Sequence, residues 1–201
     1  MQTKFKLFGL RALLRDIPQE TEVGGIFLPA ATTRKYVSME VVAVGDGRMS
    51  DGSCSAIKDI VPGDVVFVQM NQIMLANGMH SVAGEKFVSL HYNDIIAKLD
   101  VKNISALTIA DFHPTGRWVL ARVEIPQKEG ELFLPNGDKI ADAAGEVKIY
   151  FEKAGVDAQA VVPLTAGQRI LIEHARNTPI RLGTTLFSYI DVSGVTGVVE
   201  P

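Results

Sequence analysis

The chain has 201 residues, 47% hydrophobic and 21% charged, with a formal net charge of -3. This is a globular composition that excludes a disordered chain, and the near-balanced charge gives no broad attraction to nucleic acid or an anionic membrane. A single cysteine, Cys54, excludes an intrachain disulfide and a multi-cysteine metal site, and fits a reducing compartment.

The opening "MQTKFKLFGLRALLRD" starts basic like a secretory leader, but Arg11 and Arg15 break its apolar run and no small-residue cleavage pattern follows. No run approaches the ~20 apolar residues of a membrane helix. The expectation is a soluble cytoplasmic protein. Within the same stretch, "LFGLRALLRD" can be read as a helix, but it is short and meets Ile17-Pro18. "EVGGIFLPAATTRK" (22–35) then sets Ile26, Phe27 and Leu28 between a glycine pair and Pro29, with a polar flank behind. Read alone, the triplet is a buried strand; the flanks read as a loop.

Short runs rich in Val, Ile, Phe and Tyr follow: "SMEVVAVGDG", "GDVVFVQM", "EKFVSLHYNDIIAKL", "GRWVLARVEI", "EVKIYFEK" and "QRILIEHA". Asp51-Gly52, Asn77-Gly78 and Asn136-Gly137 punctuate them, and Asp51-Gly52 suits a two-residue hairpin turn in "GDGRMSDGSCSAIKD". Helical periodicity is weak. Short strands between turns predict an all-β sandwich or barrel.

The chain also repeats itself. "LLRDIPQETEVGGIFLP" matches "VLARVEIPQKEGELFLP", each with Ile-Pro-Gln, a polar spacer and Phe-Leu-Pro. Phe27 and Phe133 are 106 positions apart (133 minus 27), and Glu40-Val41 and Glu146-Val147 share that offset. Further on, "VPGDVVFV" matches "LTAGQRILI", with Gly63 against Gly167. A repeat this long predicts duplicated domains, not a solenoid: residues 1–99, a linker over 100–116, and 117–201.

No catalytic constellation emerges. His80, His91, His113 and His174 are scattered without metal-ligand spacing, so neither enzyme activity, a cofactor nor a metal is expected. Gly45 and Gly47 begin a phosphate-loop spacing, but Ser50 takes the place of its last glycine and no helix clearly opens there. Trp118 reads as core at the start of a strand, and "RKY" at Arg34–Tyr36 as a solvated flank.

Four ordered segments of the first repeat resemble GroES-type co-chaperonins: "VGGIFLP", "MEVVAVGDGRMSDG", "IKDIVPGDVVFV" and "GEKFVSLHYNDIIAKL", together covering roughly Leu13 to Leu99. The resemblance implies two tandem GroES-like small β-barrels, the second divergent. It implies that Gly24, Gly25, Ile26, Phe27 and Leu28 form a mobile loop whose apolar triplet docks into a groove of a GroEL-type chaperonin, which itself binds the ATP. Phe27 departs from the aliphatic residue usual in the family. Leu132, Phe133 and Leu134 stand at the matching place of the second repeat, where Glu131 replaces one glycine and Asp138 and Asp142 replace the basic flank. They are a second docking loop or a hairpin that no longer binds. Gly45–Asp59 resembles the family's roof hairpin.

A ring-shaped homo-oligomer is implied. Two modules per chain cannot tile seven positions with whole chains, so either the second module takes a separate place or a symmetry mismatch is tolerated. Two other readings remain. GroES-like folds also occur in zinc-dependent alcohol dehydrogenases, but this chain lacks their cysteine-rich zinc site and Rossmann domain. A ring-forming structural or assembly β protein that no longer binds chaperonin would keep the fold and bury the triplet.

Overall fold

The computed structural model describes residues 5–17, 36–49, 51–76, 78–102, 107–125, 147–173 and 178–199, and the backbone alone at 22–23, 26–27 and 177. It divides into two compact units, Met1–Gly116 and Arg117–Pro201. Among the described residues no helix is long and apolar enough to cross a membrane.

In the first unit, β1 (Arg11–Asp16), β4 (Tyr36–Val44), β5 (Val65–Gln69), β6 (Met79–Val82), β7 (Glu85–His91), β8 (Ile95–Leu99) and β9 (Phe112–Pro114) form one sheet in the order β6-β7-β1-β4-β5-β8-β9. Its neighbouring strands all pair antiparallel. Side chains alternate across a strand, so β1 feeds two cores. Ala12 and Leu14 join Val41, Val66, Val68, Leu90 and Ile95 in one. Leu13 joins Ala43 and Phe87 in the other, with Phe5 and Leu7 packed against it. "VVFV" in β5 is buried at four successive positions, the pattern of a strand covered on both faces. "LFGLRALLRD" is therefore a strand from Arg11 onward: β1 lies between β4 and β7 and exchanges ladder hydrogen bonds with both. A short helix, α1 (Met70–Leu75), buries none of its residues.

The second unit holds β10 (Trp118–Glu124), β11 (Lys148–Ala154), α2 (Val156–Val161), β12 (Ile170–Ile172), β13 (Asn177–Leu182), β14 (Thr185–Asp191) and β15 (Val195–Val198). Its sheets run β11-β10-β14-β13 and β12-β15. The strand plan follows the first unit. Register shifts fall between Leu13 and Leu14 in β1 and between Leu120 and Ala121 in β10. They fall again between Phe67 and Val68 in β5 and between Leu171 and Ile172 in β12.

The glycine turns correspond too. Gly63 N–H donates to Val41 and Val41 N–H to Asp64, both at 2.8 Å; Gly167 N–H donates to Phe151 at 2.8 Å and Phe151 N–H to Gln168 at 2.9 Å. Gly63 and Gly167 both sit at positive φ, +96° and +83°, a region glycine enters without the Cβ clash. Phe151, not Val147, therefore occupies the place of Val41. The constant offset expected across these strands fails because the connection before β11 is longer than the one before β4.

The expected small barrels do not close among the described residues. In the first unit β6 and β9 are the sheet's ends: β6 is short and largely exposed, and Pro114 of β9 lacks an N–H to extend a ladder. In the second unit the β11–β12 contact shrinks to the bridge Tyr150–Arg169 and the two bonds at Gly167. The corresponding β4–β5 contact runs over Tyr36–Glu40.

Candidate functional site

The candidate docking segment spans residues 17–35. It leaves the sheet at Asp16, the end of β1, and rejoins it at Tyr36, the start of β4. Because β1 and β4 are antiparallel neighbours, both roots lie at one end of the sheet, and the segment is tethered on both sides. Arg15 and Glu40 face each other across the pair, and the Arg15 guanidinium meets both Glu40 oxygens at 3.1 Å, with Glu85 at 3.6 Å. The Glu40 carboxylate, first by hydrogen bond and then by charge, raises Arg15's proton affinity above its ordinary value. This exposed pair fixes register; it adds little stability, because solvent screens it. On the other root, the Tyr36 ring stacks on Phe67 with centroids 5.0 Å apart. Phe67 is buried and also meets Phe112 edge-on at 5.4 Å.

Within the segment, β2 (Glu22–Val23) pairs with β3 (Ile26–Phe27), Glu22 opposite Phe27 and Val23 opposite Ile26. The two positions between them in sequence are Gly24 and Gly25. Ile26 and Phe27 thus lie in a two-residue strand. Gly24, Gly25 and Leu28, like Leu132, Phe133 and Leu134 of the second repeat, lie outside the described residues.

The hairpin after β4 starts at Gly45. It is held at its neck by Asp46, whose Oδ1 accepts from the N–H groups of Gly9 at 3.0 Å and Arg48 at 3.1 Å. These bonds, Gly9's first, keep the carboxyl below its usual pKa. A Cβ at Gly45 would lie 2.1 Å from the Gly9 oxygen, and one at Gly47 would lie 2.1 Å from the Ser55 oxygen. The glycine spacing is thus explained by close backbone contact and not by a phosphate cradle. The tip differs from a two-residue turn on Asp51-Gly52. Gly52 N–H donates to Met49 and Met49 N–H to Ser53, with Gly52 at φ +84°. Gly52 is the left-handed residue of a three-residue connection.

The other singled-out residues have structural surroundings. His91 Nδ1 accepts from Asn93 N–H and caps a 3-10 turn. His113 contacts Asp100 at 2.8 Å. Cys54 is exposed, with Sγ 3.6 Å from the Asp46 oxygen. Trp118 opens β10 and meets Tyr189 edge-on. Among the described residues no three His, Cys, Asp or Glu side chains converge on a metal-sized site. Sequence reasoning missed one clamp near the end of the first unit. Asp59 accepts from Tyr92 Oη and, at 2.7 Å, from Gly116 N–H. The three residues are distant in sequence and carry no local signal.

Residues 4–99 match the family model of the chaperonin 10 Kd subunit. The co-chaperonin GroES of Acinetobacter baylyi is 33% identical over 91 residues, covering 45% of this chain and 90% of that protein. The Chlamydia trachomatis serovar L2 co-chaperonin GroES is 31% identical over 97 residues, 48% of this chain and 91% of its own. That of Clostridium botulinum is 30% identical over 95 residues, 47% and 96% respectively. Nearly a whole relative is thus matched by about half of this chain.

Proposed function

The chain belongs to the chaperonin 10 Kd, or GroES, family, and from that premise we propose that it is a co-chaperonin that caps a GroEL-type chaperonin ring and assists ATP-dependent folding. The observation that carries this reading is the apolar triplet Ile26-Phe27-Leu28 in a segment tethered to two adjacent strands of the family-matched unit. Ile26, Phe27 and Leu28 dock in the partner's groove, and Gly24 and Gly25 give the loop its freedom. The lid is not an enzyme: the ATP belongs to the partner.

The energetics suit a lid that cycles. Each buried large apolar side chain contributes about 1.5–3 kcal/mol, and ordering each loop residue costs about 1–2 kcal/mol. One loop therefore binds weakly, and a ring of chains gains affinity through effective concentration. Weak single contacts also permit release. The second unit is proposed to be a divergent GroES-like domain, a reading supported by its parallel strand plan, matched register shifts and glycine turn.

The test mixes the protein with a GroEL-type chaperonin and ATP and follows the complex by size. Wild type shifts the chaperonin to a larger particle, and Ile26, Phe27 and Leu28 all changed to Ser abolish the shift. An undiminished complex with that variant removes the docking assignment. No complex with wild type favours the assembly protein instead.

A further inference from the structure

The connection that carries α1 belongs to the first unit alone. Nine residues (70–78) join β5 to β6, and four (173–176) join the corresponding strands β12 and β13, too few for a six-residue helix like α1. Met70, the first residue of α1, follows Gln69, which pairs with Tyr36. Tyr36 is the root where the docking segment rejoins the sheet, so α1 starts beside that root. Ile73 and Ala76, three positions apart and therefore on one face, pack against the core of the first unit. At the far end of the connection the Gly78 oxygen accepts from Ser89 N–H at 2.9 Å, and a Cβ on Gly78 would lie 2.8 Å from the Ser89 oxygen. The connection is held at both ends.

On this fixed support stand the three most exposed large apolar side chains among the described residues: Met74 at 79%, Leu75 at 72% and Met79 at 74%. Single exposed apolar residues are ordinary, but three within six positions of one anchored connection mark an interaction surface. Two of the three are methionines, whose unbranched thioether chains mould to an irregular apolar partner.

We propose that Met74, Leu75 and Met79 form a second, rigid contact with the chaperonin, seated on an apolar surface beside the groove that receives Ile26, Phe27 and Leu28. The inference rests on the docking reading above and deepens it. Its occupant follows from continuity: α1 begins at the root of the docking segment, so a partner that grips the segment lies next to α1, and the unit without the helix is the one outside the family match. The two contacts differ in kind. Residues of a docking loop lose conformational freedom when they bind. α1 is already folded against Ile73 and Ala76, so the contact it makes adds affinity without that loss. The loop captures the partner, and the helix fixes the angle at which the lid sits.

The test has two arms, both on the full chain with a GroEL-type chaperonin and ATP. In the first, brief oxidative footprinting of wild type is read by mass spectrometry. Met74 and Met79 oxidise readily in the free protein and are protected in the complex, while Met49, on the hairpin beyond the other end of β4, oxidises equally in both. In the second, Met74, Leu75 and Met79 are all changed to Ser, with circular dichroism checking the fold. Half-capping then needs about tenfold more protein or beyond, whereas Met74→Leu with Met79→Leu stays within ~threefold of wild type. A wild type that forms no complex removes the docking reading and this inference with it. A complex in which Met74 and Met79 oxidise as in the free protein overturns this inference alone, as does a serine variant that caps like wild type or a leucine variant that loses as much as the serine one. Resistance to oxidation already in the free protein overturns it in favour of a contact within or between copies of the chain. Protection that requires a non-native client in the chamber overturns it in favour of a client-binding face.

Discussion

Replacing Phe67 by Ala separates the two units' versions of one position. Phe67 is 2% exposed and packs between Tyr36 at 5.0 Å and Phe112 at 5.4 Å. Losing its burial removes about 1.5–3 kcal/mol, and two ring pairs add about 0.5–1.5 kcal/mol each. The total, about 2.5–6 kcal/mol, brackets the ~3–5 kcal/mol range seen when a core Phe becomes Ala. Leu171 occupies the same register position but is 49% exposed, so Leu171→Ala costs about 1 kcal/mol or less in the unassembled chain. Each kcal/mol shifts the melting temperature of a domain of ~100 residues by about 4–8 °C. Scanning calorimetry of dilute full-length protein should show the first unit's transition fall by at least ~12 °C in Phe67→Ala. Leu171→Ala should move the second unit's by only a few degrees. A Phe67→Ala fall under ~4 °C, or equal falls in both variants, refutes the burial argument.

Asp191 accepts from the Ser193 N–H at 2.9 Å and hydroxyl at 2.7 Å and from Arg117 at 2.7 Å. Burial pushes its pKa up, but Ser193 and Arg117 outweigh it and the net shift is downward. A depressed carboxyl stabilises the fold above its unfolded pKa of about 3.9 and loses that contribution as pH falls through the folded value. Asp191→Asn should therefore cost about 1–2 kcal/mol at neutral pH, and the gap from wild type should close below about pH 4 in urea titrations; a pH-independent gap contradicts the assignment. Tyr92→Phe should cost about 1 kcal/mol by removing one donor to Asp59. Gly116→Ala should cost more, since its φ is +48° and its Cβ would lie 2.9 Å from the Tyr92 ring; the reverse order of urea midpoints would count against the clamp. If 17–35 is a free tether, brief trypsin treatment should cut first at Arg34 or Lys35, and chaperonin with ATP should protect them. First cuts inside β1 or β4 would contradict the tether.

Much of the strand plan was legible because the runs themselves carry it. "VVFV" reads as a buried strand and is one, and the glycines of "VPGD" and "LTAGQ" mark equivalent turns. The helices were not legible. α1, over "MNQIML", fully buries none of its residues and rests only Ile73 against the core, too little to leave a helical periodicity. The offset across β4 and β11 was misread because similar Glu-Val pairs occur at a spacing that the hydrogen bonds do not follow. For the docking segment, sequence showed the triplet and its glycines. Its roots depend on cross-strand pairs, Arg15 with Glu40 and Tyr36 with Phe67, which meet only once register is set.

Between the glycine turn and the strand that precedes it, the two units differ. One inserts the Gly45 hairpin and the other α2, yet both return to a turn whose first N–H is capped by the side chain three residues on, Val61 by Asp64 at 2.8 Å and Thr165 by Gln168 at 3.2 Å. The frame on either side is indifferent to what fills that socket. Evolution, or an engineer, can remodel the outward-facing module there while the strands beneath keep their positions.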